Sequence, residues 1–315
     1  MTHAKNHHYV PQLLLKNFSS NKGRLHVFDK LNTRPFPENQ KNIASENYFY
    51  NFSEDGINHS MEEWLSQLET KAAPIIDEIV SSKNLDSINS ATKSELSFFF
   101  AVQMARTKMP QEKIKRLVKR FRELLTENGQ EISNLDEKLK DFVTEPTEND
   151  LKAGTAKAIR VDAPMYAPYL ENKIWMLIER SQETPFIIGD HPVARKNEID
   201  KDWSDFPGLM KIGVEFYIPL SPDLCLAMWC PSIVQGVINQ FAPEKEWIVD
   251  RTFKVANILS GSKNSSKIVN ALQVYWSERF LFSKNDDFGD LAEKINNLPY
   301  MRHGPRPKLN IERDE

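Results

Sequence analysis

The hydrophobic period changes near Lys173, and that change limits the folds open to this chain. Before it, apolar residues recur every three or four positions, the spacing of an amphipathic helix. Met61, Trp64, Leu65, Leu68, Ala72, Ile75, Ile76 and Ile79 make one such stripe, and Ile114, Leu117, Val118, Phe121, Leu124 and Leu125 another. After it come short apolar runs bounded by turn residues: 174–179, 185–189, 216–220 and 224–229. Such runs read as strands, paired two by two across short turns. The expectation is an α+β protein with a helical N-terminal half packed on an antiparallel sheet formed mainly by the C-terminal half. One domain spans 1–315, with a helical part at about 60–170, a sheet-rich part at about 173–285 and a polar tail at 301–315.

Local signals place the elements. Val10 before Pro11 is biased to extended backbone, and Pro11 suits a first helical turn, so 7–10 is extended and 11–18 a short helix. Leu25 and Val27 alternate as in a strand, whereas Pro35 and Pro37 make 31–47 a loop pinned by Tyr48-Phe49-Tyr50. Ser60 and Glu63 have capping-box spacing, and Pro74 should kink the helix that follows. Further helices are predicted from Ser90 or Thr92 to about Lys108, over 111–128 closed by Gly129, within 133–150, from Asp150 to Val161, and over 257–260 and 267–277. A last strand is predicted at 279–283.

With 315 residues, 40% of them apolar, the chain can bury a sizeable core. A net charge of −3 gives no general attraction to nucleic acid or membranes. No apolar run approaches membrane-span length, no leader pattern opens the chain, and Cys225 and Cys230 form neither a disulfide framework nor a zinc spacing. These traits predict a cytoplasmic protein without a membrane partner; they leave the oligomeric state open.

Candidate site residues come from three stretches. The first is His7-His8-Tyr9-Val10-Pro11-Gln12, directly ahead of the apolar run Leu13-Leu14-Leu15. A terminus so apolar should dock, carrying His7, His8 and Gln12 to wherever the core opens. In extended backbone the two histidines point to opposite sides. The second is the helix face Leu96, Phe99, Gln103, Arg106, where Gln103 and Arg106 lie in line with core residues and need partners, such as Glu69, Asp190 or an anion. The third is Asp190-His191, beyond a strand that ends in Gly189. From Arg106 to Arg122 the chain carries eight basic residues against Glu112 alone. That face suits phosphates, or is a solvated face balanced by acids elsewhere.

Taken together, these stretches make the chain resemble the bacterial family catalogued as domain of unknown function 4238. The likeness runs through His7–Phe18, Gly23–Lys30, Asn47–Tyr50, Glu69–Pro74, Gln103 with Arg106-Thr107, Asp190–Val193 and Pro219–Pro222. It departs at Arg106–Pro110, where the resemblance implies proline directly after threonine. It implies no established activity and names the same residues.

Three functions compete. The sharpest is a divalent-metal-dependent nuclease or phosphodiesterase: His8 or His7 activates water, Glu69 and Asp190 hold the metal, and Arg106 neutralises phosphate charge. Helix 106–122 would meet nucleic acid. No nucleotide-binding loop occurs, so no nucleotide cofactor is expected. The second is a binding or sensor protein that clamps an anion through Arg106 and Gln103, with Gln12 and His191 in the lining. The third is a buried network that fixes the N-terminus and has no site.

Overall fold

The computed structural model describes residues 5–197, 199, 208–232 and 258–305. In chain order, β1 (Asn6–His8) leads into a one-turn helix α1 (Gln12–Leu15), then β2 (Arg24–Asp29), β3 (Arg34–Asn39), β4 (Ser45–Asn47), β5 (Asn51–Glu54) and β6 (Ile57–Ser60). The helical stretch holds α2 (Glu62–Ser82), α3 (Ser90–Arg106), α4 (Lys108–Glu127), α5 (Glu137–Val143), α6 (Glu148–Lys157) and α7 (Ala163–Glu171). Then follow β7 (Ile174–Glu179), β8 (Ile188–Gly189), β9 (Ala194–Asn197), β10 (Val214–Ser221), β11 (Leu224–Trp229), β12 (Ile258–Leu259), α8 (Lys263–Trp276), β13 (Phe280–Ser283) and α9 (Leu291–Asn297).

The fold is mixed, with mostly antiparallel sheets. A five-stranded sheet runs β12-β7-β11-β10-β9, and its β12–β7 pair is parallel. A four-stranded sheet runs β3-β2-β13-β8 and therefore joins the two ends of the chain. β1–β4 and β5–β6 form two ribbons. The main core gathers α1, α2, α3, α7 and one face of the larger sheet, with Leu14, Leu15, Phe18, Phe100, Leu177 and Phe216 fully buried. α8 packs against the other face through Leu272 and Trp276.

Several sequence expectations need correction. The segment 31–47 is not a loop. β3 uses the edge of a sheet, where Pro35 and Pro37 lose no ladder bond that a central strand would need. The run 185–189 does not pair with 174–179; Ile188 and Gly189 pair with Phe282 and Leu281 of β13. Ile258-Leu259 is strand rather than helix, because it extends the larger sheet beside β7. α2 begins at Glu62 with Met61 as its N-cap and no side-chain cap, so Ser60 and Glu63 form no capping box. α3 is capped by Asn89, with Thr92 returning the bond to the Asn89 N–H. Pro11 precedes α1 with extended ψ of 140°, and helical structure continues only as a 3-10 turn at 16–18. His3, Asn257 and 306–315 of the tail lie outside the described residues.

Candidate functional site

The site is built where residues 6–10 meet the end of α3. β1 pairs with β4, and the extended backbone sends His7 and His8 to opposite sides. His7 is buried, and its ring stacks on Tyr50 at 5.8 Å between centroids. The Tyr50 N–H donates to His7 Nδ1 at 3.2 Å, so that nitrogen is an acceptor and carries no proton.

Arg106 is the hub. Its Nε donates to the Tyr50 hydroxyl at 2.9 Å, Nη1 to Glu69 Oε1 at 2.6 Å and Nη2 to the His8 carbonyl at 2.7 Å. The Tyr50 hydroxyl donates onward to the Arg106 carbonyl at 3.1 Å. One turn earlier, Gln103 Nε2 donates to the Tyr9 carbonyl at 2.9 Å. Burial opposes the guanidinium charge, but Tyr50 and Glu69 outweigh it and hold the Arg106 pKa above its usual value. Both polar residues on the apolar stripe thus grip the main chain of the N-terminal segment. The segment is also tied down at Asn17, whose amide donates to the Leu220 carbonyl at 2.9 Å, near the end of β10.

Glu62 faces this hub from the first turn of α2. Its Oε2 lies 3.8 Å from His7 Nδ1, yet the pair is no salt bridge, because Nδ1 already accepts the Tyr50 N–H. Oε2 is buried without a hydrogen-bond partner. Burial, opposed by Arg106 and reinforced by Glu69, pushes the Glu62 carboxyl up to about 7. Glu62 and Glu69 side chains each keep 24% exposure, so this edge of the hub meets solvent. On the other side of β1, burial holds the His8 imidazole below its usual value despite the carbonyls of Gln40 and Lys41 and the charge of Glu69. His8 Nε2 also has no hydrogen-bond partner.

Asp190 belongs to a second knot, at the junction of α8 and β13. Its carboxylate accepts the main-chain N–H groups of Glu278, Arg279 and Phe280 at 2.6, 2.8 and 2.8 Å. Lys30, fully buried at the end of β2, takes the other half of the junction. Its amine donates to the Val274 and Ser277 carbonyls, each at 2.7 Å. A helix end leaves carbonyls unpaired, and here a buried cation collects them while a buried anion collects the amides beyond. Burial pushes Asp190 up to about 6 and Lys30 down to about 8. The neighbouring His191 ring contacts Thr107 Oγ1 through Nδ1 at 2.6 Å and stacks on Trp276. Burial pushes it down to about 3, which keeps it neutral. The two knots meet at Arg106-Thr107, one residue serving each.

A family model described as protein of unknown function (DUF4238) matches residues 6–287. The chain belongs to the DUF4238 family. Neither a curated protein nor a solved structure matches it. The DUF4238 match begins in β1 and ends just past β13, so it contains both knots.

Within this DUF4238 chain the predicted site residues divide. His7, His8, Gln103, Arg106 and Glu69 converge, while Gln12 is half-buried in α1 and joins none of the bonds described here. Of the two carboxylates offered to Arg106, Glu69 takes it. The metal set Glu69 and Asp190 is not assembled: Glu69 pairs with Arg106, and both Asp190 oxygens are filled by amides. Among the described residues no group of three or more His, Cys, Asp or Glu side chains could hold a metal ion. No helix among them is long and apolar enough to cross a membrane. The basic face of α4 is largely balanced, since Lys115, Arg116 and Arg120 pair with Glu112, Glu278 and Glu123 or Glu127.

Sequence reasoning missed Glu62, Tyr50 and Lys30 as members of these knots. Glu62 was within reach, since it precedes Glu69 by seven residues and thus shares its helix face. The Tyr50 and Lys30 contacts are long-range, across 56 and 244 residues, and no spacing rule signals them.

Proposed function

We propose that this DUF4238 protein is a hydrolase that works by proton transfer on a phosphodiester, with Glu62 as proton donor. The observation that carries the reading is the Glu62 carboxyl: buried at Oε2, without a hydrogen-bond partner there, and protonated up to about pH 7. An acid with a pKa near the working pH can protonate a leaving oxygen efficiently, an effect of about 10²–10⁴-fold. Two further features support it. His8, across β1, has its imidazole pKa lowered by burial and a buried Nε2 with no hydrogen-bond partner. Arg106 places a permanent positive charge within electrostatic reach of Glu62. Glu69 and Asp190 are committed to Arg106 and to main-chain amides.

The alternative of an anion clamp made by Arg106 and Gln103 is less well supported, since both side chains are buried and occupied by main-chain carbonyls. The test is cleavage of bis(p-nitrophenyl) phosphate and of single- and double-stranded DNA and RNA at pH 5–8, with EDTA and with added Mg²⁺ or Mn²⁺. Glu62→Gln should lose at least about 10²-fold in rate with an unchanged circular dichroism spectrum. Parent activity should fall as pH rises above about 7. No cleavage by the parent under any condition, or equal rates for parent and Glu62→Gln, overturns the proposal.

A further inference from the structure

The face of α2 turned away from the hub carries a cavity. Glu62 and Glu69 share one side of the helix; Trp64 and Lys71 share another, about 200° round, since each residue turns a helix by about 100°. There α2 meets α3 around a cavity of about 180 Å³, whose lining includes Trp64, Gln67, Leu68, Lys71, Glu95 and Phe98. The Trp64 and Phe98 rings stand edge to face, with centroids 6.0 Å apart, and form an aromatic corner. Leu68 and Phe98 are half-buried against the main core, whereas Trp64 keeps 38% exposure. Gln67, Lys71 and Glu95 are exposed, and none of these three side chains has a hydrogen-bond or ion-pair partner among the described residues.

We propose that this cavity between α2 and α3 binds a free α-amino acid with an apolar side chain. Size narrows the choice first. At about 180 Å³ the cavity is smaller than the roughly 300–1,000 Å³ of sites for drug-sized ligands, so it takes one small molecule. Polarity narrows it next. The aromatic corner and Leu68 receive an apolar group, and a ligand seated there covers the exposed indole of Trp64. Charge decides the class. Lys71 and Glu95 bring opposite charges to one cavity yet form no ion pair with each other, which leaves both open to a ligand. A molecule that carries an ammonium and a carboxylate satisfies the two together, its carboxylate on Lys71 and its ammonium on Glu95. The Gln67 amide offers a further donor and acceptor. An anion alone would be opposed by Glu95 and a cation alone by Lys71, and a residue within a peptide carries neither backbone charge. The cavity and the hub lie on opposite faces of α2, so this inference does not rest on the hydrolase reading.

The test is titration of the full chain with L-phenylalanine and L-leucine, by isothermal calorimetry and tryptophan fluorescence. Three analogues of phenylalanine divide its charges: phenylacetate keeps the carboxylate, phenethylamine the ammonium and N-acetylphenylalanine amide neither. The variants are Lys71→Gln and Glu95→Gln, both at exposed positions where the fold does not depend on the charge, and a control, Glu78→Gln, exposed on α2 outside the cavity. Saturable binding of either amino acid, weakened at least five-fold by each charge variant and unchanged by Glu78→Gln, supports the site. Each single-charge analogue should likewise bind at least five-fold more weakly than phenylalanine. No binding of either amino acid by the parent overturns the proposal, as does equal affinity in Lys71→Gln or Glu95→Gln. Binding of the uncharged amide as tight as that of phenylalanine also overturns it, and assigns the groove to a peptide segment instead.

Discussion

Removal of the Asp190 carboxylate by Asp190→Ala should destabilise the fold, and by more at pH 5 than at pH 7.5. The substitution leaves three buried N–H groups, those of Glu278, Arg279 and Phe280, without their acceptor. An orphaned buried donor costs about 1–3 kcal/mol, so the gross loss is about 3–6 kcal/mol, allowing for some relaxation. Against this stands the cost of a charge in a fully buried position. The carboxyl titrates at about 6 in the fold and at 3.8 ordinarily, a difference equivalent to about 3 kcal/mol. Because the folded value is the higher one, this acid's stabilisation is whole below about pH 4 and is lost as pH rises through about 6. The parent therefore forfeits up to about 3 kcal/mol over that interval and the variant does not, so the gap between them narrows with pH. Urea unfolding at pH 5.0 and 7.5, followed by tryptophan fluorescence, measures both gaps. A gap that widens with pH, or one under about 1 kcal/mol at both, refutes the assignment of Asp190 to the α8–β13 junction.

Arg106→Lys should cost about 2–4 kcal/mol, since an ammonium cannot reach Tyr50, Glu69 and the His8 carbonyl together; hydrogen exchange should show lost protection at residues 6–9. Gly189→Ala should cost about 1–3 kcal/mol in thermal unfolding, because a Cβ there would lie 2.9 Å from Ser277 Cβ and 3.1 Å from the Gln273 carbonyl oxygen. Glu62→Gln should flatten the pH dependence of stability between about 4.5 and 7. The folded Glu62 value is raised, so its contribution is intact below 4.5 and lost through about 7; partial exposure limits the effect to about 1–2 kcal/mol. Thr107→Val should destabilise by about 1–3 kcal/mol by leaving His191 Nδ1 unpaired, whereas Thr107→Ser should stay within about 1 kcal/mol of that parent contact.

Helices α2, α3, α4 and α8 and the β10–β11 hairpin were legible in the sequence because their evidence is local: a repeating apolar face, or two runs across Ser221-Pro222-Asp223. Pairing between distant strands was not. Ile187-Ile188-Gly189 reads as a partner for its neighbour 174–179, but β13 claims it, since α8 packs on Gly189 where only a bare Cα fits. Pro35 and Pro37 argue against a central strand, not against an edge, and β3 is an edge. At the site, the placing of Gln103 and Arg106 on an apolar face was enough to predict that they have partners. It could not separate Glu69 from Asp190, because the choice depends on how α2 and the α8–β13 turn sit around the end of α3. The helix spacing could place Glu62 on the face of Glu69, but not the burial of its Oε2, which comes from the packed molecule.

The hydrogen bonds from Lys30 reach across 244 and 247 residues, and the Arg279–Asp29 pair spans 250. During synthesis, the amine at the end of β2 therefore waits for 244 more residues before the first of its carbonyl partners is made. Closure of so long a loop comes late and slowly. A nascent chain halted before residue 274 would hold a stranded cation and an open edge on β2. Such a chain should be a client for chaperones and proteases, and ribosome-stalled lengths on either side of that point offer a direct way to see the fold snap shut.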